Sequence, residues 1–355
     1  MTTPTETSAP SDLRVRRWLL ASATAVALAV AIGGTTRLTE SGLSITEWRP
    51  VSGVLPPLSD SDWNEAYQRY LAIPEAQTVH RGITLGRFQA LFWWEWVHRL
   101  LARLVGLILA VPYFWFLATA HLRPAHRRRL LLLPVLAAAQ GVLGWYMVKS
   151  GLEVRQDVSP YRLTAHLGIA LAIYILCVWT TLDLGPPRAD PEPPPPRFLR
   201  GWLTVAVTLT IVTLLSGGFV AGLDAGRVYN TFPLMGGQIV PPGYLLPGIG
   251  WRNAFENPAA AQFHHRVLAL STATVLLILA GLGRRPGVPE PLRRTVGAAG
   301  LAVLVQVGLG ITTLLLKVPV ALGVLHQVTG LVVLTAVLAA VHRQPDPGQP
   351  PCCFP

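Results

Sequence analysis

The chain has 355 residues, 51% hydrophobic and 13% charged, with a formal net charge of +11. Soluble domains carry about 25% charged residues, so the composition excludes a soluble globular fold and points to a polytopic membrane protein. The basic residues gather in short loops between apolar runs, where they set membrane orientation, and this excludes nucleic acid as the partner.

Eight apolar runs approach the roughly 20 residues that a helix needs to cross a bilayer. They cover about 17–36, 96–118, 130–148, 163–184, 200–222, 262–282, 296–316 and 320–341. Lipid forces the backbone to satisfy its own hydrogen bonds, so helices are the expected spanning element, and the alternation of a membrane barrel is absent. The first run, from Trp18 to Gly34, has no clear cleavage site and reads as a retained helix. The loop that follows (37–95) contains LSDSDWNEAYQRYL (58–71), expected to lie as a short helix over a site. The second run opens at WWEWVHR, with Trp93, Trp94 and Trp96 in the position of an interfacial belt and His98-Arg99 behind them. The third carries Gln140 to Gly144, and the fourth carries His166 and a packing cysteine, Cys177.

A Pro-rich stretch (185–199) then interrupts the pattern and reads as a linker. After it the same features return: Gly217-Gly218 for Gly33-Gly34, His265-Arg266 for His98-Arg99, Gln306 to Gly310 for Gln140 to Gly144, and His326 for His166. The expected fold is therefore an all-α polytopic membrane protein. Its eight transmembrane helices form two parallel-repeat four-helix bundles, residues 1–184 and 200–355, joined by the linker 185–199. Three cysteines make no disulfide framework, and Cys352 and Cys353 lie in a Pro-rich tail.

Arg14, Arg16, Arg17, Arg123, Arg127 to Arg129, Arg188, Arg197, Arg200, Arg284, Arg285, Arg293 and Arg294 all fall on one side of this topology. That side is expected to be the cytoplasm, with both termini there. The four histidines are then expected in the first turns of their helices, near the outer leaflet.

An intramembrane histidine is a functional candidate because lipid offers it no hydrogen-bonding partner. Neutral imidazole ligates iron, copper and zinc. Structural zinc sites need four nitrogen or sulfur ligands, which this chain lacks around the histidines, whereas two opposed imidazoles suit haem iron. Glu95 shares a helix face with His98, while its repeat partner Gln262 is uncharged. The acid-bearing half is the expected seat of chemistry and the other half that of a fixed cofactor. A carboxylate near a helix N-terminus is also favoured by the dipole. Arg99 and Arg266 suit haem propionates or, equally, snorkelling to headgroups.

The stretches GGTTRLTESGLSITEWRPVSGVLPP (33–57), FWWEWVHRLLARLVG (92–106), TAHL (164–167), FHHR (263–266) and LHQ (325–327) together resemble the haem A synthase family of alphaproteobacteria and mitochondria. The resemblance spans all eight runs. It implies a membrane oxidoreductase of the bacterial inner membrane that converts haem O to haem A for aa3-type cytochrome oxidase. The methyl at porphyrin position 8 is hydroxylated successively to a gem-diol, which loses water to give the formyl group. It further implies that His265 and His326 bind a haem b cofactor, that His98 and His166 line the substrate haem site, and that Glu95 is the catalytic or charge-stabilising carboxylate. Arg99 and Arg266 are the expected cofactor-binding arginines. Haem O synthase and cytochrome oxidase assembly factors are the implied protein partners, alongside membrane lipid, and a homo-oligomer is compatible with the pattern. Some bacterial members carry cysteine pairs in the outer loops, and this chain has none there. The main rival reading is a dihaem cytochrome b-like electron carrier. A parallel-repeat transporter fits less well, because the polar residues gather at one leaflet rather than the midplane.

Overall fold

In the computed structural model, residues 10–49, 52–153, 158–185 and 196–343 are described. Most of the Pro-rich linker and the tail cysteines Cys352 and Cys353 lie outside them. The described residues form α-helices and short 3-10 turns without a β-strand. In chain order these helices are α1 (Pro10–Leu38), α2 (Asp60–Leu71), α3 (Pro74–Thr78), α4 (Leu85–Ala118), α5 (Pro124–Glu153) and α6 (Pro160–Asp183). They continue as α7 (Arg197–Gly222), α8 (Asn253–Glu256), α9 (Pro258–Leu282), α10 (Glu290–Leu315) and α11 (Val320–His342). Eight of them, all but α2, α3 and α8, are long and apolar enough to cross a membrane.

Local signals set where these helices begin. At α2, Ser59 Oγ accepts from the Asp62 N–H while Asp62 accepts from the Ser59 N–H, a reciprocal cap that satisfies two orphan donors. The expected short helix over 58–71 is thus present as α2. Helices α6 and α9 start on Pro160 and Pro258, whose fixed φ and missing N–H suit a first helical position. Asn257 Oδ1 caps α9 by accepting from the Ala259 N–H at 3.0 Å. Thr84 caps α4 by accepting from the Arg87 N–H, so this helix starts at Leu85 rather than 96.

Two closed rings of helices result. Helices α1, α4, α5 and α6 pack each against the next, with α6 closing back on α1. Helices α7, α9, α10 and α11 do the same. The rings meet through α1–α11, α6–α7 and α6–α11. Helix α11 feeds both cores: Leu331, Leu334 and Leu338 enter the first, while Val333, Val337 and Ala340 enter the second. On α4, Leu104, Leu107, Val111, Phe114 and Trp115 stay exposed, as a lipid-facing surface requires.

The segments 39–84 and 223–257 share one end of the molecule, because Arg37 pairs with Asp224 and Arg227 with Glu40 across the two rings. At the opposite end Asp183 on α6 accepts from Arg129 on α5 and from His342 Nε2 on α11. The exposed pairs contribute little to stability individually, but they fix which helix ends lie together.

Lipid tails are as apolar as leucine, so helix association here rests on close contact rather than on a hydrophobic drive. Gly222 shows how close. A Cβ added there would stand 2.7 Å from the Pro160 Cα, a backbone atom that cannot step aside. Gly222→Ala is expected to destabilise the α6–α7 contact by about 1–3 kcal/mol, read as a lowered unfolding temperature of the detergent-solubilised protein.

Candidate functional site

Each ring of helices sends two imidazoles inward from diagonally placed members. His98 comes from α4 and His166 from α6, which both flank α1 and α5. His265 comes from α9 and His326 from α11, which both flank α7 and α10. All four lie deeper than the first turns expected from the apolar runs. His166, His265 and His326 sit about two turns in and His98 about four; α4 starts at the Thr84 cap, and α6 and α9 start on Pro160 and Pro258, ahead of their apolar runs, while α11 starts at Val320.

The rings of His265 and His326 face each other with centroids 6.5 Å apart and planes at 79°. A metal–imidazole nitrogen bond is about 2 Å, so two nitrogens facing one iron would stand about 4 Å apart, and the distance from each nitrogen to its ring centre accounts for the rest of the 6.5 Å centroid separation. His265 Nδ1 lies 2.8 Å from Ser216 Oγ, and that hydroxyl donates to the Thr213 carbonyl at 2.7 Å. The single hydroxyl hydrogen is thereby committed, so Ser216 accepts the Nδ1–H. Nε2 keeps its lone pair, which is the tautomer that ligates a metal. Gln306 Nε2 donates to the His326 carbonyl at 3.0 Å, tying α10 to α11 at the level of the ring. In the other half, His166 lies within electrostatic reach of His98. The Nδ1 atoms of His98 and His166 are buried without a hydrogen-bond partner. Among the described residues no three His, Cys, Asp or Glu side chains converge on a common point. The donor set is thus two imidazole pairs, which fits a porphyrin iron and not a bare metal cage.

Glu95 is 2% exposed and fully engaged. One oxygen accepts from Ser44 Oγ at 2.7 Å and from the Ile45 N–H at 2.6 Å. The other accepts from Arg99 Nε at 2.9 Å. Arg99 in turn donates to the carbonyls of Ile45 at 2.7 Å and Glu47 at 2.9 Å. Glu95 stands well inside α4, so Arg99, and not a helix terminus, is its electrostatic partner. The second half repeats the latch. Arg266 donates to the carbonyls of Tyr229 at 2.7 Å and Thr231 at 2.8 Å, and Gln262 donates to Tyr229. Arg266 Nε remains buried and without a partner. Both arginines therefore turn toward loop carbonyls instead of headgroups. Glu95 and Gln262 differ by an acceptor exchanged for a donor.

A cluster absent from the sequence reading lies above Glu95. Tyr70, wholly buried, has its hydroxyl 2.5 Å from His80 Nδ1 and 3.4 Å from Glu75 Oε2. His80 Nε2 lies 3.7 Å from Glu40. Burial, reinforced by the charge of Glu95, pushes the Glu75 carboxyl up to about 8, and burial holds His80 below its ordinary value. Tyr70 packs with Leu43, Phe88 and Phe92 into a buried cluster, the roof that joins this loop to the first turns of α4. His264 Nε2 lies 2.9 Å from the Tyr244 hydroxyl.

A family model described as "Cytochrome oxidase assembly protein" matches residues 16–338. The relative named "Heme A synthase" from Sphingopyxis alaskensis is 44% identical over 94% of this chain and 93% of its own length. Its namesake from Bradyrhizobium sp. (strain BTAi1) is 45% identical over 97% and 95%. The one from Sinorhizobium medicae is 45% identical over 92% and 88%.

The Glu75 carboxyl has a sign that a pH series can read. Its folded value lies above the ordinary carboxylate value of 4.5 that it has when unfolded, so the folded state holds the proton more tightly. The stability it contributes is full at low pH and is lost as pH rises toward about 8. Tyr70, Glu95, Glu40, Arg37 and His80 all face this group. Glu75→Gln is expected to flatten the fall in unfolding temperature between these limits. An unchanged pH slope would count against a protonated Glu75.

Proposed function

We propose a mechanism from one premise: this chain belongs to the cytochrome oxidase assembly protein family, together with the haem A synthases that it matches. The protein is a membrane oxidoreductase that makes haem A from haem O, oxidising the methyl group at porphyrin position 8 to a formyl group. The single observation that supports the cofactor half best is the His265–His326 pair, two rings 6.5 Å apart from diagonal helices.

In this reading residues 200–355 hold a haem b between His265 and His326, and residues 1–184 bind haem O between His98 and His166. A haem held by two imidazoles would supply one-electron transfer there. The chain's own residues then have distinct tasks. Ser216 holds His265 in the ligating tautomer. Glu95, which accepts from Arg99, Ser44 and the Ile45 N–H, would set a carboxylate one turn from His98, where positive charge would develop during oxidation of the substrate. Gln262 gives the other half no such charge. Arg99 and Arg266 hold the loops over the two sites, and the spare Nε of Arg266 suits a propionate. The roof of Leu43, Tyr70, Phe88 and Phe92 excludes water from the substrate half.

The pairwise rings support two parallel repeats, and eight spans return the chain to the side where it began. Arginine-rich short loops favour the cytoplasm for that side. The sites then face the outer part of a bacterial inner membrane. Haem O synthase and oxidase assembly factors are the partners this reaction implies, and the apolar outer face of α4 meets lipid or a like copy.

Replacing either His265 or His326 with alanine is expected to abolish the low-spin haem b bands of the purified protein. Unchanged bands would remove the cofactor assignment. Glu95→Gln is expected to lower haem A yield in cells supplied with haem O by roughly 100-fold, the scale of losing one fixed electrostatic stabiliser. Chromatography of extracted haems measures it, and a normal yield would end the role assigned to this carboxylate.

A further inference from the structure

We propose that Gly33, Gly144, Gly217 and Gly310 are positioning residues, each seating the edge of one histidine ring and so setting its rotation. The proposal rests on the haem-ligand reading of the four histidines.

Each of these glycines lies on the helix that precedes its histidine in the ring of packed helices. A Cβ built on Gly33 of α1 would stand 2.9 Å from His98 Cε1, and one on Gly144 of α5 would stand 3.3 Å from His166 Cε1. In the second half, a Cβ on Gly217 of α7 would stand 3.4 Å from His265 Cε1, and one on Gly310 of α10 would stand 2.8 Å from His326 Cε1. In all four cases Cε1 is the nearest atom and Nδ1 the next. The same ring edge therefore leans on bare backbone four times over, twice in each half.

Imidazole rotation about its last side-chain bond is soft and roughly two-fold, so a ligand ring needs an external wall to hold one plane. Ser216 provides a hydrogen bond for His265. His98, His166 and His326 have no such bond at Nδ1, and the glycine backbone lies against that edge of each ring. The seats are specific. Gly141 and Gly308, on the same helices as two of the seats, would place a Cβ in open space. A glycine inside a helix costs about 1 kcal/mol relative to alanine, a penalty that close approach of a ring offsets.

The paired glycines divide the work. Gly33 and Gly217 face the histidine of their own half, whereas Gly34 and Gly218 face the other half, through Gln327 on α11 and Thr164 on α6. One dipeptide thus fixes a ligand plane and the contact between the two rings of helices at the same depth.

The distances rank the expected effects. In the cofactor half, Gly310→Ala should shift the haem b midpoint potential and the ferric low-spin resonance more than Gly217→Ala. In the substrate half, Gly33→Ala should weaken haem O binding to the purified protein by roughly 10-fold, the scale of a lost ligand-orienting contact, and Gly144→Ala by less. Gly308→Ala and Gly141→Ala should match the unmodified protein in every readout. Gly222→Ala reports a collision between helices that touches no imidazole, so it should lower the unfolding temperature and leave the potential and resonance in place. Gly217→Ala, whose added methyl makes only ordinary contact, keeps the series readable if a tighter variant does not fold.

The inference is overturned if the seat variants keep the unmodified potential, resonance and haem O affinity, or change them only as Gly222→Ala does. His326→Ala separates the two levels. If it leaves the haem b bands intact, the ligand reading fails. If it abolishes them while Gly310→Ala changes nothing, only the seat fails.

Discussion

The structure depends on one constraint: an imidazole placed among membrane helices must have something to do with its nitrogens, since lipid offers neither donor nor acceptor. Four such rings appear, two per ring of helices, and in each pair they come from members that do not neighbour one another. A four-helix ring with two facing ligands on a diagonal leaves the other diagonal, α1 and α5 or α7 and α10, to wall the space between them. Those walls are where the glycines stand. Ligand placement and wall composition are thus consequences of one packing pattern.

The second element is the latch that follows each first histidine. Arg99 and Arg266 occupy the same register and do the same thing, gathering carbonyls from the loop that crosses their own half. A guanidinium suits this because its planar set of donors serves several carbonyls at once. What differs between the halves is the residue one turn earlier. Glu95 adds a charge that Arg99 compensates, and it also holds Ser44 and Ile45. Gln262 adds a donor and no charge. The same scaffold therefore carries a carboxylate one turn before the first histidine of one half and an amide in the other. That difference suits the proposal of one half that reacts and one that carries electrons.

Much of this was legible in the chain. Eight apolar runs, the histidines, the Glu95/Gln262 difference and the helix over 58–71 follow from hydropathy, spacing and caps. The extent of α4 did not, because LGRFQALFWWE is too polar and aromatic to register as a span, and the Thr84 cap that starts it is a single residue. The acceptors of Arg99 and Arg266 were invisible for a different reason. Backbone carbonyls carry no sequence signal, so an arginine bonded to a loop reads the same as one meant for a propionate. Tyr70, Glu75 and His80 are brought together only by the folding of the loop itself. The glycine pairs stand out in the sequence as a repeat, but their contact with histidine edges depends on side-chain direction.

These blind spots share a cause. Hydropathy reports what a helix shows to lipid, and the functional contacts here are between side chains and backbone. Glu95 meets an N–H, Arg99 and Arg266 meet carbonyls, Ser216 meets a carbonyl, and each histidine edge meets a glycine. Backbone groups sit at positions that packing fixes to within a few tenths of an ångström. Side chains anchored to them inherit that precision, while side chains anchored to each other add two sets of rotamer freedom. The two macrocycle sites proposed above, which need a defined depth and rotation, are better built on the former. The arrangement accounts for why the ligands stand on regular helices and not in the loops, and why the loops are bound back to those helices by arginines placed next to the ligands.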